Sequence, residues 1–209
     1  MPLYKEIILK DNAKLYLWKI TEDIEYLKHA VKLNTNSQNR VDSMKSESHQ
    51  KGFLAVRMLL QHIGYTDFDL YYDTFGKPHL TDGKHISISH SHTFSAIAIS
   101  NQRIGLDIEQ VKEKILKIAS RFMDVSHLEN LSETEKRIKA TVIWGIKESI
   151  FKIKNIEGIS FRNHIFEEDF SLEDKKATAT LKYENKEENF DILFDSAEDY
   201  IFVCAFEKQ

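Results

Sequence analysis

Cysteine is almost absent from the sequence, since Cys204 is the single cysteine among 209 residues. One thiol excludes an internal disulfide, and its place in the apolar segment IFVCAF predicts a buried, unreactive side chain. Long hydrophobic runs are absent too. The start MPLYKEIILKDNAK lacks the apolar core of a signal peptide, and no run of about 18 apolar residues predicts a transmembrane helix. We therefore expect a cytoplasmic protein without a membrane-spanning segment.

An excess of basic residues is also lacking. The chain has 29 Lys and Arg against 33 Asp and Glu, which gives a net charge of −4. Nucleic-acid-binding domains usually carry a basic face, so no nucleic-acid partner is expected. A phosphate-bearing small ligand stays open, because it needs only a few well-placed cations. The hydrophobic fraction of 42% and the charged fraction of 30% are typical of a globular protein.

Proline is scarce, and the only proline beyond Pro2 is Pro78, which follows Gly76 and Lys77. A lone internal proline beside glycine marks a turn with a fixed backbone. No linker or low-complexity tract divides the chain. The order of predicted elements still indicates two halves, 1–104 and 105–209, each with helices and about three or four strands. The expected fold class is α+β, resembling a duplicated α+β unit without a residue-level repeat.

Hydrophobic periodicity predicts the elements that carry the motifs. Thr21 is predicted to cap a first helix, and a second helix is predicted in GFLAVRMLLQHI. The segments HISISH and FSAIAIS are predicted to pair as short strands, with RIGLDIE as a third strand.

The segment GLDIE places two carboxylates, Asp107 and Glu109, in one predicted strand. Side chains at i and i+2 share a face, so these two project together while Leu106 and Ile108 face the core. Neighbouring carboxylates repel each other unless a cation lies between them, and Mg²⁺ takes oxygen ligands at about 2.0–2.1 Å. Two interpretations stay open from the pattern alone: a metal site, or an edge strand with a solvated acidic face.

The segment WGIKESIFK, residues 144–152, lies in a long predicted helix that follows the capping box Ser132–Glu135. Glu148 and Lys152 are four residues apart and share a face. By itself this spacing fits an exposed ion pair worth about 0.3–0.5 kcal/mol. The large side chains of Trp144 and Phe151 beside that face favour a glutamate that is only partly solvated. An apolar stripe is expected from Ile143, Ile146, Ile150 and Ile153.

The segment ISISHSH, residues 86–92, alternates and then ends in a polar cluster. Ser89, His90 and the upstream Lys77 offer hydroxyl and cationic donors suited to phosphate oxygens. A histidine that only closes the end of a strand is the other interpretation. No GxxxxGK[ST] sequence is present, so a P-loop nucleotide site is not expected.

Taken in order, FGKP, ISISHS, IGLDIE and WGIKESIFK resemble the motif series of 4′-phosphopantetheinyl transferases of the surfactin-synthetase-activator type. Each motif is short, but four in this order over residues 75–152 form a specific match. The resemblance implies two α+β halves related by a pseudo-twofold axis, with the coenzyme A site between them. It also implies a monomer, because the holo-acyl-carrier-protein-synthase type, about half as long, forms trimers.

The resemblance further implies an activity: transfer of 4′-phosphopantetheine from coenzyme A to a serine of an acyl or peptidyl carrier protein. The products are the holo-carrier protein and adenosine 3′,5′-bisphosphate. It implies that Asp107, Glu109 and Glu148 hold Mg²⁺, which also binds the coenzyme A pyrophosphate. Glu148 is the implied general base, and Lys152 is implied to neutralise the pyrophosphate.

The remaining implied roles concern coenzyme A binding. Lys77 and Pro78 are implied to lie against the adenine and its phosphates, and Ser89 and His90 to bind phosphate oxygens. Cations around Lys45 and Lys51 are implied to reach the 3′-phosphate, but the basic signature there is too loose to assign one residue.

The chain departs from the family pattern at two positions. Gly145 stands where a small hydroxyl residue is frequent, which is expected to affect only helix stiffness. His92 stands where glycine or threonine is more usual, so the loop beside the phosphates is expected to differ.

Two other classes of function stay open. One is another Mg²⁺-dependent phosphoryl transferase or hydrolase acting on nucleotides, and the other is a non-catalytic module that binds coenzyme A or a carrier protein. The complete set of three carboxylates speaks against the second. No motif indicates whether the carrier belongs to fatty-acid, polyketide or peptide synthesis.

Overall fold

The computed structural model describes residues 3–208. Its chain falls into two compact units, Met1–Gln102 (unit 1) and Arg103–Gln209 (unit 2). Each unit combines helices with antiparallel strands, which confirms the expected α+β class. None of the helices found in residues 3–208 has the length and apolar character needed to cross a bilayer.

Unit 1 is built on a four-stranded antiparallel sheet in the order β1-β2-β6-β5, beside a separate hairpin of β3 and β4. Helix α3 packs on the sheet through Ala55, Val56 and Leu59, which are fully or almost fully buried. Its strands are β1 (Leu3–Ile8), β2 (Lys14–Lys19), β3 (Leu70–Tyr72), β4 (Pro78–Leu80), β5 (His85–Ser91) and β6 (Phe94–Ser100). Its helices are α1 (Ile24–Ala30), α2 (Thr35–Ser43) and α3 (Glu47–His62).

Unit 2 is built on a five-stranded antiparallel sheet in the order β7-β11-β10-β9-β8. The long helix α5 covers this sheet, and the predicted stripe of Ile143, Ile146, Ile150 and Ile153 is buried. The strands are β7 (Ile104–Gln110), β8 (Ile165–Glu167), β9 (Lys176–Tyr183), β10 (Lys186–Ala197) and β11 (Tyr200–Glu207). The helices are α4 (Lys114–Ile118), α5 (Glu133–Lys154) and α6 (Phe161–His164).

Local signals in the sequence account for several of these elements. The capping box of α5 is confirmed: Glu135 N donates to Ser132 Oγ at 3.3 Å, and Ser132 N donates to Glu135 Oε2 at 2.8 Å. The predicted antiparallel pairing of β5 with β6 is confirmed as well. Cys204 is buried, as expected, and desolvation raises its pKa to about 12.

Two predictions about elements were wrong. The cap of α1 is Asp23 rather than Thr21, because the Asp23 carboxylate accepts from Tyr26 N at 2.7 Å. The expected count of about three or four strands in each half was too low: among the described residues, unit 1 has six strands and unit 2 has five. The three-residue strand β4, which begins at Pro78, carries too little pattern to be predicted.

Candidate active site

The two predicted carboxylates lie on β7, at one edge of the sheet of unit 2. Leu106 and Ile108 are fully buried, as the alternation predicted. Asp107 on the other face is also buried, at 4% exposure, while Glu109 is partly exposed. The interpretation of this strand as a solvated acidic edge is therefore wrong for Asp107, because helix α5 packs against β7.

A glycine on β7 explains how closely α5 approaches. A Cβ atom at Gly105 would lie 1.9 Å from the backbone oxygen of Ser149 on α5, a distance that no side chain can occupy. Gly105 shares its strand face with Asp107, two residues on. The strand and the helix therefore touch backbone to backbone beside the carboxylate, which is the close approach that a glycine inside a strand often marks.

A second glycine, on α5 itself, extends this contact to β11. A Cβ atom at Gly145 would lie 2.5 Å from Val203 Cγ2 and 3.8 Å from Asp107 Oδ2. Ser149 Oγ donates to Val203 O at 3.0 Å and fixes the same crossing point. The expectation that Gly145 affects only helix stiffness was wrong, since any side chain here also meets Val203.

This crossing brings Lys152 of α5 onto β7. Lys152 Nζ donates to Leu106 O and to Asp107 Oδ1, both at 2.8 Å. The Lys152 side chain keeps 28% exposure, whereas that of Asp107 has 5%. The lysine therefore makes a long-range ion pair with a buried carboxylate, rather than serving only as the i+4 neighbour of Glu148.

Glu148 lies within the same electrostatic cluster. Its pKa is raised from 4.5 to about 7, chiefly by burial and then by the negative charges of Asp107 and Glu109, while Lys152 opposes the shift. A carboxyl group with a pKa near neutrality exists in both protonation states at physiological pH. That is the property required of a general base.

The donor chemistry of this cluster fits a hard divalent cation. Carboxylate oxygens are the ligands that Mg²⁺ prefers, and a cation here would relieve the repulsion that raises the pKa of Glu148. Within residues 3–208, no three His, Cys, Asp or Glu side chains converge closely enough to form a metal site. In the structure the positive charge beside Asp107 is the ammonium group of Lys152.

The predicted ligands of unit 1 lie on two separate elements. Lys77 and Pro78 follow a tight turn in which Lys77 N donates to Asp73 Oδ1 at 2.9 Å and Gly76 takes a φ of +79°. His79 contacts the same carboxylate, with Nε2 at 3.0 Å from Asp73 Oδ2. Asp73 therefore fixes the backbone around the lysine.

The other two predicted ligands lie near the end of β5. Ser89 is buried and His90 is exposed. His92, in the turn that follows, has a φ of +46°, in the left-handed region that glycine adopts most easily. At this position, where glycine or threonine is more usual, His92 therefore takes a backbone conformation that favours glycine.

Comparison with known proteins shows which family the chain resembles. Residues 103–205 match the family model described as the 4′-phosphopantetheinyl transferase superfamily. The chain resembles this superfamily over these residues, which are just under half of its length. Its matched segment contains Asp107, Glu109, Glu148 and Lys152, and the resemblance inferred from the four motifs is confirmed.

Individual relatives of the transferase superfamily match over parts of their length. The 4′-phosphopantetheinyl transferase Sfp of Bacillus subtilis is 31% identical over 118 residues, which are 52% of this chain and 53% of that protein. The 4′-phosphopantetheinyl transferase gsp of Aneurinibacillus migulanus is 35% identical over 81 residues, 37% of this chain and 34% of that protein. The chain therefore spans about a third to a half of the length of these two relatives.

The motif series of the superfamily did not identify every residue that shapes the cluster. Gly105 was overlooked, although a glycine inside an apolar strand is a signal of close backbone approach. Lys147, beside Glu148 in the sequence, is almost fully buried and pairs with Glu167 of β8. No local signal distinguishes it from an exposed helix lysine, because its partner lies 20 residues away.

Proposed function

We propose that this chain is a Mg²⁺-dependent 4′-phosphopantetheinyl transferase that acts on a serine of an acyl or peptidyl carrier protein, with coenzyme A as the donor. The names of the matched relatives support this activity. The observation that carries the proposal is the cluster formed by α5 and β7, where Glu148, with a pKa of about 7, lies beside the pair of Asp107 and Lys152. We further propose that the enzyme is a cytoplasmic monomer of two duplicated halves.

Glu148 would accept the proton of the carrier serine, directly or through a water molecule. The serine oxygen then forms a bond to the phosphorus next to pantetheine. The bond between that phosphorus and the bridging oxygen breaks, and adenosine 3′,5′-bisphosphate leaves. Because the pKa of Glu148 is near 7, an ionised fraction is available to take the proton at neutral pH.

Lys152 would stabilise the charge that develops on the bridging oxygen. The Lys152 side chain is 28% exposed, so a ligand can reach it. Its hydrogen bonds to two acceptors on β7 already hold the ammonium group in position. Mg²⁺ held by Asp107, Glu109 and Glu148 would neutralise the negative charge of the pyrophosphate.

Unit 1 would contribute coenzyme A ligands. We propose that Lys77 and Pro78 contact the adenine and its phosphates, and that Ser89 and His90 bind phosphate oxygens. The fixed backbone around Lys77 supports this role, because a ligand would then not have to order the turn. Lys45 and Lys51 stay candidates for the 3′-phosphate.

Incubation with coenzyme A, Mg²⁺ and an apo-carrier protein tests the function. We expect the carrier to gain the mass of one phosphopantetheine group in step with release of adenosine 3′,5′-bisphosphate. A carrier whose acceptor serine is replaced by alanine is the control and should gain no mass. Cleavage of coenzyme A without a mass gain would instead identify a hydrolase, and binding without cleavage would identify a non-catalytic module.

A further inference from the structure

The imidazole of His90 lies directly against helix α3 at a position without a side chain. A Cβ atom at Gly52 would lie 3.2 Å from both Cγ and Nδ1 of His90, and 3.6 Å from its Cβ. Ordinary carbon contacts are about 3.5–4.0 Å, so a methyl group here would press on the ring. The ring of His49, three residues earlier on α3, lies with its centroid 6.4 Å from that of His90.

A glycine at this point of α3 is unfavourable for the helix itself. Gly52 is buried within the 16-residue helix, and glycine in a helix interior is less favourable than alanine. Its φ is not in the left-handed region, so the backbone conformation does not require glycine. The close contact with His90 is therefore the feature that a side chain at position 52 would disturb.

The backbone of α3 is fixed at this point independently of the histidine ring. Ser95 Oγ donates to Gly52 O at 3.0 Å, and Ser95 is the partner of His90 in the pairing of β5 with β6. Gly52 and Ser95 are both buried, whereas His90 is exposed. A methyl group at position 52 would therefore turn the exposed ring rather than displace the helix.

We infer that Gly52 is a positioning residue, which lets the His90 imidazole lie on α3 in the orientation that binds a phosphate group of coenzyme A. This inference rests on the proposed role of His90 as a phosphate ligand. Gly52 itself has no side chain with which to contact the ligand. Its effect on coenzyme A is thus transmitted through the ring.

The variant Gly52→Ala separates positioning from a purely structural role. We expect the KM for coenzyme A to rise about five- to tenfold, as for the loss of one hydrogen bond, with kcat within about twofold of wild type. Alanine favours the helix, so the melting temperature should be unchanged or higher. In the nuclear magnetic resonance spectrum of the ligand-free protein, the His90 ring signals should shift. Gln61→Ala, an exposed change on the same helix, is the control and should alter neither KM nor the ring signals.

A double-mutant cycle with His90→Ala distinguishes the two ways of failing. If Gly52 acts through the ring, Gly52→Ala should have no further effect on KM in the His90→Ala background. An unchanged KM in His90→Ala alone would overturn the proposed phosphate role of His90. A raised KM in His90→Ala with an unchanged KM in Gly52→Ala would overturn the positioning role of Gly52 and leave that of His90 standing. A lower melting temperature with an unchanged KM in Gly52→Ala would show that the glycine serves packing alone.

Discussion

Helix α5 is tied to opposite edges of the sheet of unit 2 by two lysine–carboxylate pairs that differ in exposure. Lys147 and Glu167 have side-chain exposures of 2% and 3%, and Lys147 Nζ also donates to Ile165 O at 2.5 Å. Lys152 and Asp107 have side-chain exposures of 28% and 5%. The pair of Lys147 and Glu167 is closed to solvent and is called the closed pair. The pair of Lys152 and Asp107, called the open pair, leaves an ammonium group within reach of a ligand. We infer that the first serves the fold and the second serves chemistry.

The surroundings of the two pairs support this distinction. Desolvation lowers the pKa of Lys147, and its carboxylate partner counteracts that effect. Among the described residues, Glu167 is the acid that acts on the pKa of Lys147, whereas the cluster around Lys152 contains Asp107, Glu109 and Glu148. A surplus of negative charge beside a partly exposed lysine is the arrangement expected where a cation and a phosphate group bind together.

The largest expected effect comes from breaking the crossing that forms the open pair. Gly105→Ala places a Cβ atom 1.9 Å from the backbone oxygen of Ser149, so α5 must shift away from β7. We expect a loss of about 3 kcal/mol or more in the free energy of unfolding and loss of transfer, measured by urea denaturation and by carrier modification.

Gly145→Ala is the matched control for this variant. Its Cβ would meet a side-chain methyl of Val203 at 2.5 Å, so adding Val203→Ala should restore much of the lost stability. No such rescue is expected for Gly105→Ala, because the atom in the way belongs to the backbone. A stable and active Gly105→Ala protein would contradict the close crossing.

The next effect, which falls on stability and not on turnover, is expected from the closed pair of Lys147 and Glu167. Lys147→Met leaves the Glu167 carboxylate buried without its lysine, which should destabilise the protein by about 3–5 kcal/mol. The double variant Lys147→Met with Glu167→Leu should recover most of this loss, and its turnover per folded molecule should be close to that of wild type. Thermal unfolding and carrier modification measure the two quantities. A Lys147→Met protein that is as stable as wild type but inactive would instead indicate that this lysine takes part in the reaction.

Lys152→Met should show the reverse pattern. Water reaches this lysine, so we expect a smaller loss of stability, about 1–2 kcal/mol, together with weaker coenzyme A binding and loss of turnover. Calorimetric titration with coenzyme A and the rate of carrier modification test this. Unchanged coenzyme A binding and unchanged turnover would show that Lys152 and Asp107 only hold α5 against β7.

The smallest expected effect is a gain in stability from Glu148→Gln in metal-free protein. Folding raises the pKa of Glu148 from 4.5 to about 7, so the folded state binds more protons than the unfolded state between these values. The free energy of unfolding of the wild type therefore falls as pH rises through this window. Glutamine does not titrate, so the variant has no such loss at position 148. We expect the variant to be more stable than wild type by about 1–2 kcal/mol at pH 8, a discounted part of what such a pKa shift represents.

The same variant should lose turnover, because an amide cannot take the serine proton. Urea denaturation in a chelator at pH 5 and pH 8 gives the difference in stability, which should be small at pH 5. Glu129→Gln, which removes an exposed carboxylate outside the cluster, is the control. Equal stability of Glu148→Gln and wild type at pH 8 would contradict the raised pKa of Glu148.

Much of the candidate site was predictable because its signals are local. The alternation of GLDIE and the capping box before α5 each depend on a few neighbouring residues, and both were confirmed. The partner of Lys152 was not predictable in this way, since Asp107 lies 45 residues earlier. The burial of Asp107 and the closure around Lys147 depend on how α5 crosses the sheet. That crossing depends on Gly105 of β7 and Val203 of β11. These residues are far apart in the sequence, so no local periodicity indicates that both contact α5.

The most direct test of the central claim compares Asp107→Asn with Asp174→Asn in the modification of an apo-carrier protein. Both variants remove one carboxylate charge from unit 2, but Asp174 is exposed and lies outside the cluster. Intact-mass spectrometry should show wild-type rates for Asp174→Asn. It should show a loss of at least about 100-fold for Asp107→Asn, which a higher Mg²⁺ concentration restores only in part. A near-normal rate of carrier modification by folded Asp107→Asn would contradict the assignment of the open pair as the active site.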